Sequence, residues 1–332
     1  MDIIDLEELG VSLKIDLKNP VFLNYEKFIG FEDLFGNIID KKRRTRCTVK
    51  YSSKQIVGGY GIITFAKRTV NSDTKNCVVK RLLGDEELNL LKEVFLQHTS
   101  YLILKKYNLN IFIPKIYDIF YKLDTTKNKY ILHFSMEEVL GIFFHTFLKK
   151  SETPEKDFID SFIQISIALY ILENELNLDH RDLRYANIYI VEKPVNIILQ
   201  LIDKKIDYTC NFHICILDFG FACIGNKPTV LNAAEGFMQK EERCFKPGRD
   251  IFQLLISIWS KRSIRSKMSD KFVDNINALL CYGEYDYSNI TEASEDSKWP
   301  YSLTMDDNFS FAPLLPKNLL IKLMELKNEY NI

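Results

Sequence analysis

Much is missing from this chain of 332 residues, and each absence closes a class of function. Its seven cysteines are scattered, odd in number and contain no C-x-x-C pair, which argues against a disulfide scaffold or a zinc ribbon. A reducing compartment is the expectation. No apolar run approaches the ~20 residues that cross a bilayer; Ile167–Leu172 is only six residues long. Met1–Leu9 is acidic and lacks the basic flank and apolar core of a secretory leader. An intracellular protein, cytoplasmic or nuclear, with no membrane partner is expected. Excess charge is absent too. Lys plus Arg total 44 against 45 for Asp plus Glu, a net charge of −1. Direct nucleic-acid binding by bulk charge is therefore not expected, and only a local patch would allow it. Internal repeats and low-complexity stretches are also lacking.

What is present is enough to fold. Hydrophobic residues make up 46% of the chain and charged ones 27%, which excludes overall disorder. At roughly 150 residues per domain, two domains or one bilobal unit is the prior. Residues 1–46 look like an extension closed by the basic run Lys41-Lys42-Arg43-Arg44-Thr45-Arg46. A solvated loop or strand edge is the plain reading of that run; a localisation signal or phosphate-binding patch is the sharper one. Residues 47–136 read mainly as strands (Gln55–Ala66 with a glycine turn, Asn76–Leu82, Phe112–Tyr121, Lys129–Met136). A helix over Glu86–Lys105 carries Leu88, Leu91, Val94 and Phe95 at helical spacing. Residues 137–332 turn helical, with buried helices over Asp157–Leu178 and Arg249–Ser260 and an amphipathic one over Pro316–Tyr330. Ile188–Val191 and Ile214–Leu217 are short strands there. The fold class is α+β, with a small β-rich lobe and a larger helical one.

Two motifs carry the chemistry. His180-Arg181-Asp182-Leu183-Arg184-Tyr185-Ala186-Asn187 matches H-R-D-L-x-x-x-N, and Asp218-Phe219-Gly220 follows the apolar strand Ile214–Leu217. Either alone could be ordinary turn residues; in this order they are not. Over residues 55–260 the chain resembles the eukaryotic-type protein kinases. That resemblance implies a bilobal fold, ATP as phosphate donor and Mg2+ as cofactor. It makes Asp182 the acceptor of the substrate hydroxyl proton, and Asn187 and Asp218 the oxygen ligands of the magnesium. Arg184 would reach the γ-phosphate as charge develops on it.

Upstream partners occur in order. Ile56-Val57-Gly58-Gly59-Tyr60-Gly61-Ile62-Ile63 aligns with G-x-G-x-x-G-x-V, with Gly58 and Gly61 at the second and third glycines and Ile56 replacing the first. Gly58, Gly59 and Gly61 would let backbone N–H groups close over phosphates. Lys80, in Val78-Val79-Lys80, stands where V-A-I-K places its phosphate-pairing lysine. Its ion-pair partner should be an acid on the next helix. Glu93 fits best, because Glu86 and Glu87 lie near the helix start, where acids are favoured by the macrodipole. Phe134–Gly141 resembles the hinge between lobes, with Met136 as gatekeeper and the backbone of Glu137 and Val139 facing adenine. Asp250 would accept backbone N–H groups of the catalytic loop, or serve as a simple helix cap.

Departures refine the reading. No A-P-E follows Asp218-Phe219-Gly220, and Thr229 is the one hydroxyl residue in 221–249, which points to activity without activation-loop phosphorylation. The missing A-P-E and the 30 residues between Asn187 and Asp218 resemble the haspin group, Ser/Thr kinases acting on histone tails. Haspins differ in carrying an altered D-F-G and His-Trp-Gly where this chain has Arg184-Tyr185-Ala186. A divergent viral or parasite kinase is the broader description. Residues 284–307 hold seven acids and one base, Lys298, reading as a solvated loop or a dock for a basic, histone-like protein substrate. His213 and Cys215 alternate beside Asp218 but lack further metal ligands. Ser/Thr specificity is favoured. A small-molecule phosphotransferase and a catalytically dead scaffold are the competing readings; the second fits poorly because Lys80, Asp182 and Asp218 are all present.

Overall fold

Cys47, Val49 and Tyr51 alternate along one strand, so one face of that strand needs cover. In the structure, a computed structural model describing residues 29–40, 42–84, 87–201, 204–224, 245–282, 285–286, 304 and 311–330, these residues face the interior of a barrel. The chain divides into two compact units, Met1–Leu102 with Ile113–Val139, and Ile103–Phe112 with Leu140–Ile332.

In the first unit β1 (Ile29–Glu32), β2 (Asn37–Ile39), β3 (Thr45–Val57), β4 (Gly61–Val70) and β5 (Asp73–Leu82) form an antiparallel meander. Helix α1 (Glu87–Lys106) precedes β6 (Ile116–Asp124) and β7 (Lys129–Glu137). β7 pairs with both β5 and β6, and β6 pairs in parallel with β1 in the register Ile29↔Ile119. That last pairing closes a barrel of seven strands among the described residues. Ile38, Cys47, Val49, Ala66, Cys77, Val79 and Phe120 fill it. The polar exception is Asp118, which accepts from Arg68 Nε at 2.6 Å and from Ser135 Oγ at 3.3 Å. Enclosed charge is tolerable only when paired in this way. Burial, with Asp118 nearby, pushes the Cys47 thiol up to about 12.

β1 and β2 come from the stretch that the sequence set apart as an extension. They hold three or four residues each, too few for a period-two signal, and become strands because β6 supplies the partner. Residues 1–28, Thr229 and most of the acidic stretch 284–307 lie outside the described residues.

The second unit contains β8 (Ile142–Phe143), α2 (Phe144–Lys150), α3 (Pro154–Leu176), β9 (Leu178–Asp179), β10 (Ile188–Val191), β11 (Val195–Leu201), β12 (Lys204–Cys210), β13 (His213–Ile216), β14 (Cys223–Ile224), α4 (Arg249–Trp259), α5 (Arg262–Arg265), α6 (Asp270–Leu279), β15 (Cys281–Tyr282), β16 (Tyr285–Asp286) and α7 (Pro316–Glu329). α3 is buried on every side from Phe158 to Leu169, as a central core helix must be. Proline opens it and Asn177 ends it in the left-handed conformation, φ 47°. The long stretch between Asn187 and Asp218 holds the paired strands β10 and β13 and, between them, the antiparallel pair β11–β12. Tyr208 of that hairpin donates to the fully buried carboxylate of Asp160 on α3 at 2.9 Å, and Lys156 and Lys327 neutralise it. Among the described residues Cys47, Cys77, Cys210, Cys215 and Cys281 are free thiols.

Candidate active site

The first unit places Lys80 by the ladder between β4 and β5, where it faces Ile63. Its Nζ lies 2.6 Å from Glu93 Oε1 on α1, with both side chains buried. Glu87 instead accepts from the Tyr121 hydroxyl at 3.2 Å, and Glu86 lies outside the described residues. The glycine turn joins β3 to β4, and the Gly58 N–H donates to the Gly61 carbonyl at 2.9 Å. Packing demands only one of its glycines. A Cβ on Gly61 would sit 2.8 Å from the Arg81 carbonyl oxygen, whereas one on Gly59 would meet nothing within 4 Å. The open side of Gly58 and Gly59 is the kind of bare backbone a phosphate can approach. Ile56 is exposed at the end of β3.

Met136 stands opposite Val78 on β5, and its Sδ accepts from Gln97 Nε2 at 3.4 Å. The Glu137 N–H donates to the Lys115 carbonyl at 2.9 Å. An adenine contact from Glu137 would therefore use its carbonyl. Val139 is partly buried at the end of this unit.

The second unit builds the other group. β9 leads into His180-Arg181-Asp182, and Asp250 at the start of α4 holds that loop from below. Its two carboxylate oxygens accept from the His180 N–H at 2.7 Å and the Arg181 N–H at 2.8 Å. Those bonds offset the cost of Arg181's left-handed backbone, φ 65°, about 1–2 kcal/mol for a side-chain-bearing residue. Burial keeps His180 neutral by pushing its imidazole down, so its Nε2–H donates to the Leu217 carbonyl at 3.0 Å. The His180 ring also packs on Phe219, with centroids 4.9 Å apart.

Asp182 and Asn187 meet above this base, and the chain passes Asp218 beside them. Asn187 Nδ2 donates to the backbone carbonyl and to Oδ2 of Asp182, both at 2.8 Å. The Leu217 N–H donates to the Asn187 carbonyl at 2.9 Å, which brings Asp218 beside Asn187. Asp218 is exposed and left-handed, φ 63°. Such backbone strain concentrates at functional positions. Arg184 Nε lies 3.4 Å from Asp182 Oδ1. With both amide protons of Asn187 directed at Asp182, its Oδ1 is turned away from that residue, and Asn187 Oδ1 and the Asp218 carboxylate are the candidate cation ligands. These are hard oxygen donors. Among the described residues no three His, Cys, Asp or Glu side chains gather as a cage. The pairing fits Mg2+, which takes one or two protein oxygens and completes its shell with water and phosphate.

Sequence reasoning missed the buried supports of the loop. Arg249 Nε lies 3.2 Å from Asp179 Oδ2, and the Lys246 N–H donates to the same carboxylate at 3.1 Å. Burial pushes the carboxyls of Asp179 and Asp250 up, against the pull of Arg249. The Tyr185 N–H donates to Ser257 Oγ at 3.1 Å. The signal for Asp179 and Arg249 was their place one residue before a motif position, His180 and Asp250. His213 Nδ1 is 3.1 Å from the Lys193 carbonyl, a structural bond.

No family model matches the chain. The chain is 28% identical over 120 residues to a protein named probable kinase 098L from Invertebrate iridescent virus 3. The matched stretch covers 36% of this chain and 23% of that protein, so the chain spans less than a quarter of its relative's length. The likeness supports a kinase, a phosphate-transferring enzyme, in general.

Proposed function

We propose that the protein is an ATP- and Mg2+-dependent protein kinase of bilobal kinase-like fold that phosphorylates Ser or Thr. The Asp182–Asn187 hydrogen-bonded pair, with Asp218 following the Leu217 N–H that bonds the Asn187 carbonyl, in the order of the kinase motifs, carries this reading. Lys80, held by Glu93, grips the donor phosphates, and the open backbone of Gly58 and Gly59 lies against them. Asn187 and Asp218 would hold magnesium, which neutralises phosphate charge when bound. Asp182, steadied by Asn187, orients the acceptor hydroxyl and takes its proton. Arg184 is placed beside Asp182 to meet the charge on the transferring group. Met136, Glu137 and Val139 border the adenine. A basic, histone-like substrate suits the acid-rich stretch 284–307.

The test is transfer of label from γ-labelled ATP with Mg2+ to histones, casein and myelin basic protein, beside Asp182→Asn. Label on protein that vanishes in the variant supports the reading, and phosphoamino-acid analysis decides Ser/Thr against Tyr. Label confined to a small molecule, or an Asp182→Asn variant as fast as the parent, would overturn it.

A further inference from the structure

The outer face of the barrel gathers cations that the sequence keeps in two separate stretches. Cys47 and Val49 of β3, Ala66 of β4 and Cys77 of β5 point into the barrel. By alternation Arg46 and Lys50, Lys67 and Asn76 belong to the outer face. The ladders lay two rows across it. One is Lys50, Lys67 and Asn76; the next is Thr48, Thr69 and Thr74. The turn between β2 and β3 adds Lys42 and Arg43, both exposed. A net charge of −1 speaks against coating nucleic acid by bulk charge, but not against a local patch. Half of this patch is invisible until β4 lies beside β3.

Lys42, Arg43, Arg46, Lys50 and Lys67 make no ion pair among the described residues. Acids are present, and they are fewer. Asp40 and Asp73 are each matched by a cation of their own, Arg44 at 2.8 Å and Lys75 at 3.5 Å. Asp33 borders the face through Asn37, and Glu137 and Glu138 border it where β7 ends opposite Cys77. Counted as fully ionised, these three still leave the five unpaired cations in excess. Like charges directly opposite on a sheet repel, so the fold gains nothing from Lys50 against Lys67.

The face is separate from the glycine turn. Lys67 is six residues along β4 from Gly61, about 20 Å at the rise of a strand. Its composition says what covers it. No large exposed hydrophobic lies within 37–50 or 67–76. A membrane would need an apolar anchor there, and a folded protein an apolar interface centre. Lysine, arginine, hydroxyl and amide groups are instead the donors that hold nucleic-acid phosphates. The two rows carry no aromatic side chain, so the bases of a single strand have nothing to stack on. A duplex, which presents its phosphates and keeps its bases stacked, fits.

We propose that this outer face binds the phosphate backbone of double-stranded nucleic acid, without regard to sequence, through Lys42, Arg43, Arg46, Lys50 and Lys67. Binding of this kind is independent of phosphate transfer, and its test runs without ATP.

The test is fluorescence anisotropy of a short labelled DNA duplex titrated with the full chain at several salt concentrations. Affinity should fall with salt along a log–log slope of about −4, close to −0.9 for each phosphate contact. Lys50→Gln with Lys67→Gln should weaken binding about tenfold or more and make the slope shallower by about two. Its melting temperature should hold or rise, because a repulsion is removed. Lys42→Gln with Arg43→Gln, at an exposed turn, should also make the slope shallower, a readout that does not depend on how the first variant folds. Lys50→Arg with Lys67→Arg keeps the charge and should bind like the parent, as should Lys205→Gln, an exposed cation of β12 in the other unit. No binding at low salt, an unchanged slope in both Gln variants, or tighter binding to a single strand, to polyglutamate or to phosphatidylserine vesicles would overturn the proposal.

Discussion

Asn187 donates its two carboxamide protons to one residue, Asp182, bonding its backbone carbonyl and its carboxylate at 2.8 Å each. One side chain thus fixes the orientation of the base and turns its own oxygen outward. Asn187→Asp removes both donors and sets a second carboxylate against Asp182. Phosphate transfer should fall by about 10²-fold or more, the usual worth of a positioned base. Asn187→Ala should in addition raise the Mg2+ concentration needed for half-maximal transfer. A metal titration of label transfer checks both, and an unchanged titration would detach Asn187 from the metal.

Lys80 and Glu93 form a buried pair at 2.6 Å. Lys80→Met leaves a buried carboxylate without its cation and should cost about 3–5 kcal/mol of stability in urea unfolding, besides abolishing transfer. Lys80→Met with Glu93→Leu should recover most of that stability and none of the activity. Recovery of both would show that the pair only supports the fold.

The glycine turn separates packing from ligand approach. Gly61→Ala forces a Cβ to 2.8 Å from the Arg81 carbonyl oxygen and should lower the melting temperature. Gly59→Ala meets no atom within 4 Å and should leave melting unchanged while weakening ATP binding. Isothermal titration beside a thermal melt distinguishes the two effects.

His133 gives the first unit an acid limit. Burial lowers its imidazole from 6.5 to about 4, while its Nδ1 lies 2.9 Å from the Ile131 carbonyl. The unfolded chain binds this proton from pH 6.5 downward and the folded chain only near 4. Stability is therefore whole above 6.5 and lost as pH falls across that window, by about 3 kcal/mol at most. His133→Phe, which keeps the stack on Phe120, should lessen the loss, leaving the share of His98, whose imidazole burial also lowers to about 4. Urea midpoints measured across the window check it, and an unchanged slope would remove His133 as the cause.

The sequence alone determined the elements whose signals are local. Apolar runs such as Arg249–Trp259 and Ile188–Val191 are helix and strand by length and composition. The order and spacing of Lys80, Asp182, Asn187 and Asp218 marked the chemistry, because those side chains must act together and their motifs are short and contiguous. Tertiary structure decided what depends on distant partners. β1 and β2 are strands because β6 closes the barrel on them. The sequence favoured Glu93 for Lys80, and the structure adds that Glu87 meets Tyr121 instead because α1 presents only the Glu93 turn to β5. Asp179 and Arg249 became a buried support only when β9 and α4 were packed together, beside the Asp250 contacts that the sequence had pointed to. Leu34 and Phe35 stand exposed at a turn tip, which no local signal in the sequence marks and only the closing of the barrel decides.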